Sequence, residues 1–210
     1  MPKRLWKRKI VINTILNSLM RILFILLLFC SVSITLVYGS PNTDHEKTDA
    51  GTGSSNVSYP VPPTTNERLF YVQRTPNANT IIYDLNLNSD GKLNTDQPVK
   101  AYWIKYAEKG QKEELNYIQR KFAYGLNVKA LNNGNYDIRF VSYKKFPLTL
   151  MRSGDGKYHI FALIAQKQVI LNRIFVKIDG GTFWIPNVTY VEVKGSDPVT
   201  GKEIVERFKP

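Results

Sequence analysis

From Glu67 onward, apolar residues recur in short runs divided by turn formers, the period-two spacing of half-buried strands. Strands are predicted over 68–74, 79–85, 98–106, 135–143, 146–151, 157–164, 168–178, 187–194 and 202–208, all rich in Val, Ile, Tyr and Phe. Alternation is clearest where Tyr136, Ile138 and Phe140 oppose Asp137, Arg139 and Val141, and again at Phe146, Leu148 and Leu150. Asp90-Gly91, Asp155-Gly156 and Asp179-Gly180-Gly181 supply hairpin turns, where positive φ carries no Cβ penalty. About nine strands at this spacing predict an all-β fold, mainly an antiparallel sandwich or barrel.

One segment breaks the alternation. Lys112–Tyr124 reads as a packed α-helix, opening on Glu113-Glu114 at its positive end and stopping at Gly125. Leu115, Ile118 and Phe122 fall on one stripe and should lie on the sheet. At 100° per residue Gln119 projects beside that stripe, while Tyr117, Arg120 and Tyr124 point away.

The other end of the chain is patterned differently. Residues 22–37 are uncharged and apolar or hydroxyl-bearing, preceded by Lys3, Arg4, Lys7, Arg8, Lys9 and Arg21, with no acid before Asp44. That is an export signal, and residues 1–39 are expected to be a signal peptide or membrane anchor. The run is short of the roughly 20 residues of a spanning helix, and Val37-Tyr38-Gly39 offers a cleavage site before Ser40. A retained anchor is the second expectation, and a start at Met20 would give a shorter positive region. Cys30, the single cysteine, belongs to the apolar run; Phe29 occupies the position where a lipidated cysteine wants a small neighbour. Cleavage would leave a domain without disulfides or thiol chemistry, stabilised by its core.

Residues 40–66 are dominated by Pro, Ser, Thr, Gly and Asn and read as a flexible linker with a reach of roughly 25–30 Å. Residues 67–210 then form a single β-rich domain. Net charge is +12, yet residues 1–40 hold six of the 29 basic groups and none of the 17 acids. Beyond them the balance is 23 against 17, or +6, with signs interspersed. No nucleic-acid partner is expected from so dilute a basic surface.

Chemistry is sparsely signalled. The strand 168–178 is apolar on both faces, with Ile170, Asn172, Ile174, Val176 and Ile178 sharing one and Val169, Leu171, Arg173, Phe175 and Lys177 the other. That reads as a central strand, where Asn172 and Arg173 either tie strands together or floor a pocket. Gln119 is expected to meet Asn172 or a strand carbonyl under the helix. Trp103 and Trp184 are core residues or stacking faces, Trp184 lying near a strand end. Asn86–Gln97 resembles a calcium loop but lacks the first aspartate and the closing glutamate, so a hairpin connection is expected instead. His159 stands alone, without a triad pattern, and phosphate loops and His-x-x-x-His spacings are missing. No cofactor or metal is called for.

Four stretches are distinctive together: Leu69-Phe-Tyr-Val-Gln-Arg74, Ala101-Tyr-Trp-Ile-Lys-Tyr106, Asn116-Tyr-Ile-Gln-Arg-Lys-Phe-Ala-Tyr-Gly125 and Asp179-Gly-Gly-Thr-Phe-Trp184. With them the chain resembles domain-of-unknown-function family 4833, an uncharacterised family of exported bacterial proteins, over roughly residues 67–209. The resemblance implies a single β-rich domain in the periplasm or cell envelope and transfers no activity. The residues themselves favour a non-enzymatic binding module with a pocket between helix and sheet. Arg74, Arg120, Arg173, Gln119 and Asn172 would meet the anionic or carbonyl end of a small or amphipathic ligand, and Trp103 and Trp184 would cover its apolar body. Alternatives are an interaction domain docking on an envelope protein or glycan, and a hydrolase built on carboxylates such as Asp84, Asp137 and Asp179. Membrane contact is expected only through an uncleaved N-terminal segment.

Overall fold

The computed structural model describes residues 58–181 and 186–210. The expected signal or anchor, the linker up to residue 57, and Trp184 lie outside the described residues. Eleven strands form one sheet: β1 (Arg68–Arg74), β2 (Thr80–Leu85), β3 (Val99–Ile104), β4 (Lys112–Glu114), β5 (Leu126–Ala130), β6 (Tyr136–Phe140), β7 (Leu148–Arg152), β8 (Tyr158–Ile164), β9 (Lys167–Gly181), β10 (Pro186–Ser196) and β11 (Glu203–Phe208). One short α-helix, α1 (Tyr117–Phe122), joins β4 to β5, the two ends of the strand path β4-β3-β2-β1-β9-β8-β7-β6-β5. Among the described residues the fold is all-β with a single α-helix, and the sheet curls into a half-barrel.

The curl originates in β9. Its first residues pair with β8, Ile170 opposite Phe161, and its later ones run parallel to β1, Ile174 opposite Val72. β10 occupies the other edge along both stretches, opposing Ile170 with Ser196 and Ile174 with Val193. One strand therefore serves two arms in succession, β1–β4 and β8–β5. Where the arms change over, the register steps: Leu171 faces Gly195 and Arg173 faces Lys194, leaving Asn172 as the extra residue of a β-bulge.

The bulge inverts side-chain parity. Val169 and Leu171 point into the core before it, and Ile174 after it. The strict alternation expected across 168–178 fails for that reason, since an unpaired residue shifts every later side chain to the opposite face. Gly195 makes the junction possible. A Cβ there would lie 2.5 Å from Val169 Cγ2 and 2.7 Å from the Ile170 carbonyl oxygen.

The two arms face each other across the main core. Phe70 stacks on Tyr83 with centroids 4.4 Å apart, and both meet the edge of Phe140 from the opposing arm, at 6.1 and 5.8 Å. Ile138, Leu148, Leu150, Ile160 and Ile164 are fully buried around them. Burial of each such side chain contributes about 1.5–3 kcal/mol.

The helix is shorter than its predicted span. Lys112–Glu114 pairs with β3 as an edge strand, so Glu113 and Glu114 do not open a helix. Asn116 caps α1 instead: its side chain accepts from the Gln119 amide at 2.8 Å, and Gln119 Oε1 accepts from the Asn116 amide at 3.1 Å. This reciprocal box sets the start that the acidic pair was expected to set. The predicted stripe fails with it, because Ile118 is 48% exposed and Leu115 precedes the helix. β5, too, is absent from the sequence-based assignment; Asn127 and Lys129 dilute its pattern, and pairing with β6 makes it a strand.

Residues 58–66, part of the expected linker, reach the outer face of the sheet. Tyr59 sets its edge on Phe175 at 5.0 Å, and the Pro60 carbonyl accepts from Gln73 Nε2 at 2.8 Å. Within 86–97, the Asn88 amide donates to Lys92 O at 2.8 Å and Leu87 bridges Leu93, a hairpin-like connection.

The crowding at Gly195 makes a direct test of the bulge. Gly195→Ala should destabilise the protein by about 1–3 kcal/mol, because the Ile170 backbone has to move. Gly154→Ala, with nothing within 4 Å, should stay within about 0.5 kcal/mol. Urea unfolding midpoints of the two variants make the comparison, and equal midpoints would remove the steric account of the junction.

Candidate functional site

The same parity rules build a cavity inside the half-barrel. Even-numbered residues of β1 face inward, so Phe70 and Val72 enter the core and Arg74 follows them at the strand end. β9 continues inward after its bulge with Ile174, Val176 and Ile178. On β10 a second register step at Thr189 keeps both Val188 and Val191 on the inner side. Tyr83, Tyr124, Phe140 and Phe146 close the opposite wall. The cavity holds about 190 Å³ and opens to solvent on one side, where Tyr143 is exposed. An apolar cavity of roughly 150 Å³ already accommodates benzene.

Arg74 is the only charged side chain among the described residues of this wall, and it is 3% exposed. Its Nη1 donates to the Thr75 carbonyl at 3.5 Å, a long contact. Thr75 anchors that strand end to β9, its Oγ1 donating to Ile178 O at 2.7 Å and accepting from Ile178 N at 2.6 Å. Burial raises the Tyr124 phenol pKa, while the neighbouring Arg74 charge acts in the opposite direction. The Tyr124 hydroxyl lies within reach of that guanidinium, and its own proton meets no acceptor among the described residues. Its backbone carbonyl is engaged, accepting from Tyr83 Oη at 2.9 Å. Complete burial lifts the Tyr83 phenol well above its ordinary pKa, so both phenols stay neutral near pH 7.

Tyr124 is held by a chain of contacts reaching back to the helix. Trp103, 2% exposed, sets its edge against Tyr124 at 5.0 Å and donates from Nε1 to Gln119 Oε1 at 3.3 Å. Gln119 is the buried residue of α1, as its projection predicted, and its partners are Trp103 and the Asn116 amide rather than Asn172. The projection misplaced Tyr124 because the helix ends at Phe122 and the chain turns sharply through Ala123 into Gly125. A Cβ on Gly125 would stand 1.9 Å from the Arg120 carbonyl oxygen, so only glycine allows that fold-back.

Of the seven residues singled out from the sequence, Arg74 alone lines this cavity among those described. Trp103 and Gln119 stand one layer behind it. Arg120 lies on a separate cleft of about 130 Å³ between β3 and β5, 3.3 Å from Glu114. Asn172 occupies the β9 bulge and donates to Ser196 Oγ at 2.6 Å. Arg173 is on the outer face, donating to Gln73 Oε1 at 2.9 Å, 3.5 Å from Glu192 and stacked over Phe175. Trp184 lies outside the described residues.

The carboxylates singled out do not converge on the cavity either. Asp84 accepts from Arg68 Nε and Tyr102 Oη, both at 2.7 Å, on the outer face of one arm. Asp137 is held by Arg139 at 2.9 Å, on the outer face of the other. His159 bonds Asp155 at 2.9 Å across an exposed turn. Among the described residues, no three His, Cys, Asp or Glu gather as metal ligands.

The outer-face latch has a measurable consequence. Burial first, and then the hydrogen bond to Asp84, push the Tyr102 phenol up to about 12. A phenol raised above its unfolded value of roughly 10 stabilises the fold in its neutral form. That contribution is complete below pH 10 and is lost as pH rises through about 12, with Tyr83 and Tyr124 adding in the same sense. Unfolding midpoints should therefore fall steeply above pH 10, and Tyr102→Phe should shallow the fall. An unchanged slope in that variant would place the loss elsewhere.

No curated protein and no solved structure matches the chain. A family model does match, over residues 70–207, from within β1 into β11 and across the strands that wall the cavity. The chain belongs to the family described as domain of unknown function, DUF4833.

Proposed function

We propose that this protein is a non-enzymatic binding module of a bacterial cell envelope, taking a small or amphipathic ligand into the half-barrel. One observation carries the reading: an apolar cavity of about 190 Å³ with a buried guanidinium on its wall. Apolar walls with a few convergent polar groups are the usual composition of a small-molecule site. The ligand's apolar body lies against Val176, Val191 and Phe146, and its polar end reaches Arg74. Trp103 and Gln119 act as supports for Tyr124 rather than as ligand contacts.

Residues 1–39 act as the export signal or anchor in this reading, so the ligand is met in the periplasm or at the envelope surface. A second reading, docking on an envelope protein or glycan, draws on Tyr117 and Ile118, which α1 leaves 69% and 48% exposed. Tyr117→Ala should weaken such a complex in crosslinking experiments while leaving ligand uptake unchanged.

Native mass spectrometry of protein recovered from cells expressing the full chain should show a dissociable added mass. The same spectrum reads whether the chain begins at Ser40. Val176→Phe, which fills the cavity, should remove that mass and abolish uptake of an environment-sensitive apolar fluorophore while the protein stays folded. A wild-type protein that arrives bare and takes up no apolar probe would falsify the cavity reading.

A further inference from the structure

Resting on that reading, the chemistry of the wall selects one class of ligand head group. The buried polar corner is made by two side chains from different parts of the chain, Arg74 at the end of β1 and Tyr124 after α1, while the hydroxyls of Ser142 and Tyr143 lie on less buried parts of the wall. Arg74 and Tyr124 are both withdrawn from water, at 3% and 6% exposure. A guanidinium carries only donors, and it carries its charge at any working pH. The Tyr124 hydroxyl is buried beside that guanidinium and its proton meets no acceptor among the described residues, although a donor removed from water without one is held at a cost. Tyr83, the nearby phenol, already spends its proton on the Tyr124 carbonyl. No Asp or Glu lines the cavity among the described residues.

Such a corner offers positive charge and a spare hydroxyl donor, so it favours an anion that accepts. A planar carboxylate matches the fork of a guanidinium and takes a third donor from the side. A tetrahedral dianion such as a phosphate would bring more charge and more lone pairs than this corner can answer, and an ammonium would be repelled. We infer that the ligand is a single-chain carboxylate bound head-inward. Its carboxylate sits on Arg74 and Tyr124, and its alkyl or aryl body lies along Val176, Val191 and Val193.

Isothermal titration with octanoate, octan-1-ol and octylammonium at pH 7.5 tests this on protein recovered from cells expressing the full chain. Octanoate should bind about tenfold or more tightly than octan-1-ol, the increment of a charge-assisted hydrogen bond, and octylammonium should bind weakest. Tyr124→Phe removes only the hydroxyl beside Arg74, so the variant should still fold cooperatively with a melting temperature close to that of the parent. Its affinity for octanoate should drop about three- to tenfold, with octan-1-ol unchanged. Arg74→Met should bring octanoate down to the affinity of octan-1-ol. If that variant fails to fold, Tyr124→Phe decides alone.

Equal binding of acid and alcohol, unmoved by Tyr124→Phe, would overturn the head-group assignment and leave the cavity reading standing. Failure of the folded parent to bind any of the three probes would overturn both.

Discussion

The fold depends on a single unpaired residue. Asn172 interrupts the ladder between β9 and β10 where β8 gives way to β1 on the opposite edge of β9. A bulge increases local twist and bends its strand, so the two arms leave β9 in different directions and curl toward each other. It also exchanges inside for outside along the rest of the strand. Without that exchange Arg173 and Phe175, rather than Ile174 and Val176, would face the core. The site and the fold thus share one cause, and Gly195 is the residue that lets the opposing backbone come close enough to permit it.

Polar groups are satisfied very differently on the two faces of the sheet. Outside, they gather on shared carboxylates and amides: Arg68 and Tyr102 on Asp84, Arg173 on Gln73 and Glu192, and Arg207 on Glu192 at 2.6 Å, while Arg68 Nη1 is buried without a partner. Pro60 supplies Gln73 with its remaining acceptor, so the chain entering the domain contributes to the outer face. Inside, the Tyr124 hydroxyl lies beside the Arg74 guanidinium, and its own proton meets no acceptor among the described residues. The concave apolar wall with Arg74 on it is the physical basis for reading the inner face as the binding face.

The elements behind the wall are concerned with placement. Gln119 joins two tasks, capping the helix at Asn116 and receiving the Trp103 indole proton, so the helix start and the cavity floor are mechanically connected. Gly125 then folds the chain back beneath α1 and turns Tyr124 inward. Rigid support of this kind keeps a polar contact in position where water is excluded. A six-residue helix would be marginal alone, and here it persists because its cap and its buried glutamine are both tied to the sheet.

Much of the architecture was legible in one dimension. The alternation at Tyr136–Phe140, the turn glycines and the β-branched runs depend on neighbours in sequence, which is why the strands and the fold class followed from them. Gln119 was placed correctly because helical periodicity is also local. Arg74 was singled out by residue type, but its inward aim depends on a register shared with β2 and β9. Tertiary structure alone decided the bulge at Asn172, the strand character of Lys112–Glu114 and Leu126–Ala130, and the inward turn of Tyr124. Each of these is set by a partner distant in sequence: a β10 glycine, the β3 edge, β6, and the contacts of Trp103 and Tyr83 with Tyr124. Periodicity reports which side of a strand is apolar, whereas long-range pairing decides which side becomes the inside.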